Sequence, residues 1–178
     1  MNRSLLTRFN KYQKERFPFA VLIFTTFSVV LSSAAIVLGK NASLHGLWLQ
    51  LVVGTLTCLL FMFNIRVLDD FKDKRFDDQY YKKRPVQRGL ISLKELNTMN
   101  VVSLVFQAVI NLLVSLYAGI YWILALTYSL LARQEFFLKS YIRKKFILYN
   151  ALNLLQLFFL QIYLYALIQP GFSFGDPL

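Results

Sequence analysis

Four stretches without charged side chains divide the chain. Phe17 to Gly39 is an uncharged run of 23 residues. A bilayer core about 30 Å thick needs about 20 apolar residues in helix, so this run predicts a first membrane span. Asn41 to Ile65 predicts a second, interrupted only by the neutral His45. Leu96 to Ala132 is a third run, 37 residues long. As one straight helix it would reach about 55 Å, so it predicts a hairpin turning at Tyr117-Ala118-Gly119. Phe146 to about Gln169 predicts the last span, closed by Pro170-Gly171. The pattern is that of an all-α integral membrane fold of about five spans. They fall near 17–39, 44–66, 97–116, 120–134 and 146–169, with a charged loop over 67–95.

Residues 1–16 carry five basic residues, with Leu5, Leu6, Phe9 and Tyr12 at helix-like spacing. They predict an interfacial amphipathic arm ahead of a single transmembrane domain, 17–178. The first span is read as a retained anchor: Ser32-Ser33-Ala34-Ala35 lies inside the apolar run, not after it as a cleavage site would.

Composition narrows the class. Only 16% of residues are charged, against about 25% in ordinary soluble domains. That excludes a disordered chain and argues against a water-soluble globule. One cysteine, Cys58, excludes an internal disulfide framework, and one histidine excludes a multi-imidazole metal site. The net charge of +11 changes the picture most. Eighteen of the 20 Lys and Arg residues lie in the N-terminal arm, in the loop after span two and in the loop after span four. With alternating spans these three segments share one side, which the positive-inside rule makes cytoplasmic. The expected location is a multi-pass membrane protein, in the cell inner membrane if bacterial. Basic loops facing anionic lipid account for the high pI without nucleic acid.

The chemistry gathers where span two meets that side. Five of the nine acidic residues, Asp69, Asp70, Asp73, Asp77 and Asp78, lie within ten positions. On one helix Asp69, Asp73 and Asp77 would form a ladder, with Asp70 beside it. Clustered carboxylates at the edge of a low-dielectric phase repel one another, and a hard divalent cation removes that repulsion. Mg²⁺ takes one or two carboxylates plus phosphate oxygens, so the stretch suits a metal–diphosphate site. Because Lys72, Lys74 and Arg75 alternate with the acids, a solvated, salt-bridged helix end is the competing reading. The segment Lys82-Lys83-Arg84-Pro85-Val86-Gln87-Arg88-Gly89 then adds phosphate-matching cations on a Pro/Gly turn.

This stretch resembles the first signature of UbiA-type intramembrane prenyltransferases. Asp70, Asp73 and Asp77 match the acids of an NDxxDxxxD pattern, and Arg84-Pro85-x-x-x-Gly89 with Ile91-Ser92 resembles the RP…G turn that follows it. Asp69 stands where the family usually has Asn. Lys14-Glu15-Arg16-Phe17-Pro18 is similar to the approach to the family's first helix. Tyr128 to Arg133 is similar to the end of its fourth, with Ala132 in place of a lysine. The resemblance implies a helical bundle around a polar chamber opening to the cytoplasm. It implies Mg²⁺ held by Asp69, Asp70, Asp73 and Asp77, with Asp70, Asp73 and Asp77 catalytic. Diphosphate contacts would come from Arg66, Lys82, Lys83, Arg84, Arg88 and Arg133, and Asn64 and Tyr128 would line the chamber. The reaction implied is transfer of a polyprenyl group from its diphosphate to an aromatic or lipid acceptor.

The family has about nine spans and a second aspartate-rich motif, whereas after Asp78 this chain offers only Glu95, Glu135 and Asp176. A fragment of a longer protein, a homodimer and a non-catalytic relative each account for half a bundle. The loop-like sequence Gly171–Leu178 favours the fragment. A non-catalytic membrane assembly protein of the same fold is the alternative function. CDP-alcohol phosphotransferases also use interfacial aspartates, but Phe71 follows Asp69-Asp70 where their signature needs a glycine. Glu135 reads as an interfacial charge and His45 as an exposed loop residue. Cys58 reads as a small packing residue, Trp48 and Trp122 as interface anchors, and Asn64 either as chamber lining or as a bond across helices.

Overall fold

The computed structural model describes residues 4–39, 46–142 and 144–169. The expectations for His45, Pro170 and Gly171–Leu178 lie outside the described residues. Among the described residues the chain is helical throughout, with no strand. The order is α1 Leu5–Arg16, α2 Phe19–Leu38, α3 Trp48–Lys72, α4 Lys74–Tyr80, α5 Leu93–Val114, α6 Leu116–Arg133, α7 Lys139–Ile142 and α8 Phe146–Ile168. Five of these, α2, α3, α5, α6 and α8, are long and apolar enough to cross a bilayer.

Two boundaries differ from expectation. Helix α3 runs on to Lys72 instead of ending near 66, which carries Asp69 and Asp70 on the spanning helix itself. The hairpin turns at Ser115, not at Tyr117–Gly119. Ser115 is extended (φ −160°, ψ 128°), and its side chain accepts from the Ala118 amide to start α6. Gly119 belongs to the helix. A Cβ there would lie 2.5 Å from Leu112 Cδ2, the outer end of a half-exposed side chain that would have to turn aside.

Helix α3 is central and packs against α2, α5 and α8, while α6 packs on α5 and α8. Val30, Val53, Phe61, Leu164 and Leu167 form the apolar core, and Cys58 is buried among them as a packing residue. A second cluster, including Tyr12, Phe17, Phe63 and Val67, joins α1 to the charged end of α3.

A buried polar line runs along α5. Asn100, Ser103, Gln107 and Asn111 recur at three- and four-residue spacing and so share one face. Asn64 donates to Asn100 Oδ1 (2.8 Å) and accepts from Gln107 (2.7 Å). Gln107 Oε1 accepts from Trp122 (3.2 Å), and Asn111 accepts from Tyr163 (2.7 Å) and donates to Thr57 (3.0 Å). In lipid there is no water to satisfy such groups, so they pair across helices and set the register of α3, α5, α6 and α8. Trp122 is therefore a core donor and not an interface anchor. Trp48 is 68% exposed at the far end of α3, as an anchor would be.

Candidate functional site

The arm, the α3–α5 connection and the α6–α8 connection meet at one end of the bundle. Arg8 of α1 grips Glu95 at the start of α5 (2.6 and 3.0 Å). Lys72 at the end of α3 reaches Glu135 after α6 (3.3 Å) and Tyr149 of α8 (3.4 Å). The three basic segments thus converge as the charge pattern requires.

The acids do not form one ladder. The helix breaks at Asp73 (φ −90°, ψ 0°) between α3 and α4, and the carboxylates part into two pairs. Asp70 and Asp77 are buried beneath the arm and the Arg84 turn. Asp70 Oδ1 accepts from Arg16 (2.8 Å) and Arg66 (2.6 Å), and its Oδ2 accepts from the Tyr12 hydroxyl (2.7 Å). Asp77 Oδ2 is paired with Arg84, while its Oδ1 is buried without a partner. Burial first, then the Asp70 charge, pushes the Tyr12 hydroxyl well above the ordinary tyrosine range and keeps it a donor. These six groups form two neutralised struts, Asp70 tying the arm to the span and Asp77 holding the Arg84 turn.

Asp69 and Asp73 stand apart from it. They lie one helical turn apart, Asp69 half-buried and Asp73 exposed, and neither side chain forms an ion pair or hydrogen bond. Asp73 lines a cleft of about 550 Å³ with Lys72, Arg75, Phe76, Glu135, Phe146 and Tyr149. Glu135 is 3% exposed. It sits in a turn where Glu135, Phe136 and Phe137 all take positive φ, 51°, 50° and 60°. L-residues rarely hold that conformation, which costs roughly 1–2 kcal/mol each. Glu135 is thus a buried partner of Lys72, not the interfacial charge expected, and its nearness to the cleft is not readable from Arg133-Gln134-Glu135 alone.

The cations divide likewise. Arg66 is used on Asp70, and Arg88 on Glu15 (2.7 Å) and the Lys83 carbonyl (3.0 Å). Arg133 stands over the Phe71 ring at 5.8 Å, close to the end of α3. Lys82, Lys83 and Arg84 line a second cleft that shares no residue with the first. Asn64 is consumed by bonds across helices. Tyr128 donates to the Leu152 carbonyl (2.7 Å) and stacks on Phe159, joining α6 to α8.

No group of three or more His, Cys, Asp or Glu side chains converges on a metal-sized space among the described residues. Mg²⁺ in phosphate sites needs only one or two protein carboxylates, and Asp69 and Asp73 are the two acids of this segment whose side chains form no ion pair or hydrogen bond. Asp70 offers no free oxygen, and Asp77 only a buried one. The chain matches no protein-family model, no curated protein and no solved structure.

Proposed function

We propose that the chain is a prenyltransferase-like membrane protein, or one half of such an enzyme. It would transfer a polyprenyl group from its diphosphate to an aromatic or lipid acceptor with Mg²⁺. The observation that carries this reading is Asp73, exposed and without an ion pair, in a cleft it shares with Lys72, Arg75, Phe76, Phe146 and Tyr149, with Asp69 one helical turn away. Asp69 and Asp73 would hold the metal, and Lys72, Arg75 and Arg133 would take the remaining diphosphate charge. The bound metal supplies electrostatic stabilisation of the departing diphosphate. Phe76, Phe146 and Tyr149 would flank the reacting end of the prenyl tail and keep water from it. The basic bias of the three segments at this end supports a mouth that faces the cytoplasm. A second copy of the chain, or further helices, would close the chamber that five spans leave open.

Binding of geranylgeranyl diphosphate to the purified protein tests the reading. The expected result is binding that strengthens at least tenfold with Mg²⁺, an increment lost in Asp69→Asn and Asp73→Asn. Equal binding with and without Mg²⁺ would falsify it.

One observation favours the second reading, a non-catalytic assembly protein. Asp70, the most buried acid of the motif's first half, is wholly occupied by Tyr12, Arg16 and Arg66 as a structural tie. On that reading every acidic substitution alters folding and none alters a metal-dependent ligand.

A further inference from the structure

The cleft between the arm and the Arg84 turn is separate from the one just described. It measures about 530 Å³ and is lined by Glu15, Arg16, Gln79, Tyr80, Tyr81, Lys82, Lys83, Arg84 and Pro85. We infer that this cleft is a headgroup site for an anionic phospholipid of the adjoining leaflet, with Lys82 and Lys83 as its phosphate ligands.

Four observations carry the inference, independently of the proposed function. The first is charge. Arg16 and Arg84 are already held by Asp70 and Asp77, and Glu15 by Arg88. Lys82 and Lys83 are exposed and form no ion pair. Two unspent cations on a rim with one paired carboxylate leave a net demand for an anion.

The second is depth. Helix α3 has 25 residues and would rise about 37 Å at 1.5 Å per residue, beyond a core of about 30 Å. Its last turns therefore stand at headgroup level, and α4 with the turn after it lies in the interface. Ile91 and Leu96 are wholly buried, so the chain returns to the bundle directly after the cleft.

The third is the aromatic rim. Tyr80 and Tyr81 line the cleft, are 62% and 46% exposed, and each packs on Phe76 behind it, at 4.7 and 5.9 Å between ring centres. Exposed tyrosines with an apolar body and a polar tip suit the lipid–water boundary. Arg84 lies over the Tyr81 ring at 4.0 Å, which holds that ring against the cleft.

The fourth is rigidity. The cleft wall is braced by the Asp70 and Asp77 struts and by the Glu15–Arg88 pair (2.7 Å), so a ligand would not have to order it. A phosphate between two free ammonium groups, with its acyl chains running down past Tyr80 and Tyr81, satisfies all four.

The test uses the full chain in nanodiscs. Retained lipid is counted by native mass spectrometry from phosphatidylcholine discs with and without 30 mol% phosphatidylglycerol. We expect phosphatidylglycerol to be retained in preference. The double variant Lys82→Gln/Lys83→Gln should weaken retention by about 30-fold, at about fivefold per cation near the surface. The charge-matched Lys144→Gln/Lys145→Gln variant should not. Equal loss in both double variants, or loss in neither, overturns the site. Displacement of the lipid by inorganic pyrophosphate at low concentration also overturns it, because the cleft would then serve a soluble diphosphate. Retention of a folded helical spectrum in both variants separates lost binding from lost structure.

Discussion

The Tyr12 hydroxyl donates to Asp70 Oδ2 at 2.7 Å, joining the N-terminal arm to the end of α3 across 58 residues of sequence. Both groups are buried, and Arg16 and Arg66 complete the carboxylate's shell. The arm is therefore clamped onto the bundle and is not a free amphipathic tail. Leu5 and Leu6 remain exposed, so only the second half of the arm's apolar face is used in packing.

Tyr12→Phe leaves Asp70 one donor short and should cost about 1.5–3 kcal/mol, the range for a hydrogen bond to a charged group. Asp70→Ala strands two arginines and should cost more, about 3–5 kcal/mol. Thermal unfolding in detergent, with limited proteolysis of the arm, measures both. An arm equally protected in Asp70→Ala would disprove the clamp.

The arm's contacts, this clamp and the Glu15–Arg88 pair, set a pH window. The Glu15 carboxyl is held below its ordinary range by Arg88, so its contribution is present above pH about 4.3 and lost as pH falls through the lower folded value. Tyr12 is shifted upward. Its contribution is complete below pH about 10 and disappears as pH rises through the higher folded value. Arm protection from protease should thus hold between these limits. Glu15→Gln should remove the part of the acid-side loss that Glu15 causes, without moving the alkaline edge.

Gln107 joins three helices, taking a proton from Trp122 and giving one to Asn64. Gln107→Leu removes the Trp122 acceptor and one donor to Asn64, which keeps its bonds to Asn100 and Ser103. Interhelical hydrogen bonds in membranes average about 0.6 kcal/mol, so the two should together cost about 1–2 kcal/mol. Unfolding in mixed detergent micelles reads this, and no change would mean that lipid-exposed alternatives satisfy the partners equally well.

Gly119→Ala would place a methyl against Leu112, whose Cδ2 lies 2.5 Å from the added carbon. Leu112 can move its outer end aside, so the expected cost is that of a displaced rotamer, about 0.5–1.5 kcal/mol. Leu112 is half exposed, so Leu112→Ala should be mild alone and should relieve most of the Gly119→Ala loss. A double-mutant cycle showing no coupling would exclude the contact as the reason for glycine.

Asp73→Asn and Asp77→Asn should behave oppositely. Asp73 is exposed and unpaired, so its substitution should leave stability within about 0.5 kcal/mol, as for a surface change. Asp77 neutralises Arg84 from a buried position, so its substitution should destabilise the 81–89 turn. Thermal unfolding of the two variants side by side decides whether the motif divides as described.

Much of this layout is legible in the sequence. The spans follow from uninterrupted apolar length, and the convergence of basic segments follows from alternation across a bilayer. The hairpin turn was misplaced because Gly119 looks like a breaker in a sequence, whereas here it serves close packing and Ser115 makes the turn. Trp122 and Asn64 are ambiguous in sequence because a polar tip in a spanning helix suits an interface, a chamber or a partner helix equally. Only the facing helix decides which.

The sequence by itself determined the five spans, the clustering of charge at one end and the presence of a carboxylate-rich, arginine-rich segment there. Those properties depend on local composition measured against the fixed thickness of a bilayer. The tertiary structure alone decided how that segment is used. A break at Asp73 turns α4, the arm brings Tyr12 and Arg16 onto Asp70, and the return loop brings Arg84 onto Asp77. Which carboxylates are neutralised and which stay available depends on cations up to 54 positions away. Helical spacing along one segment carries no information about their approach.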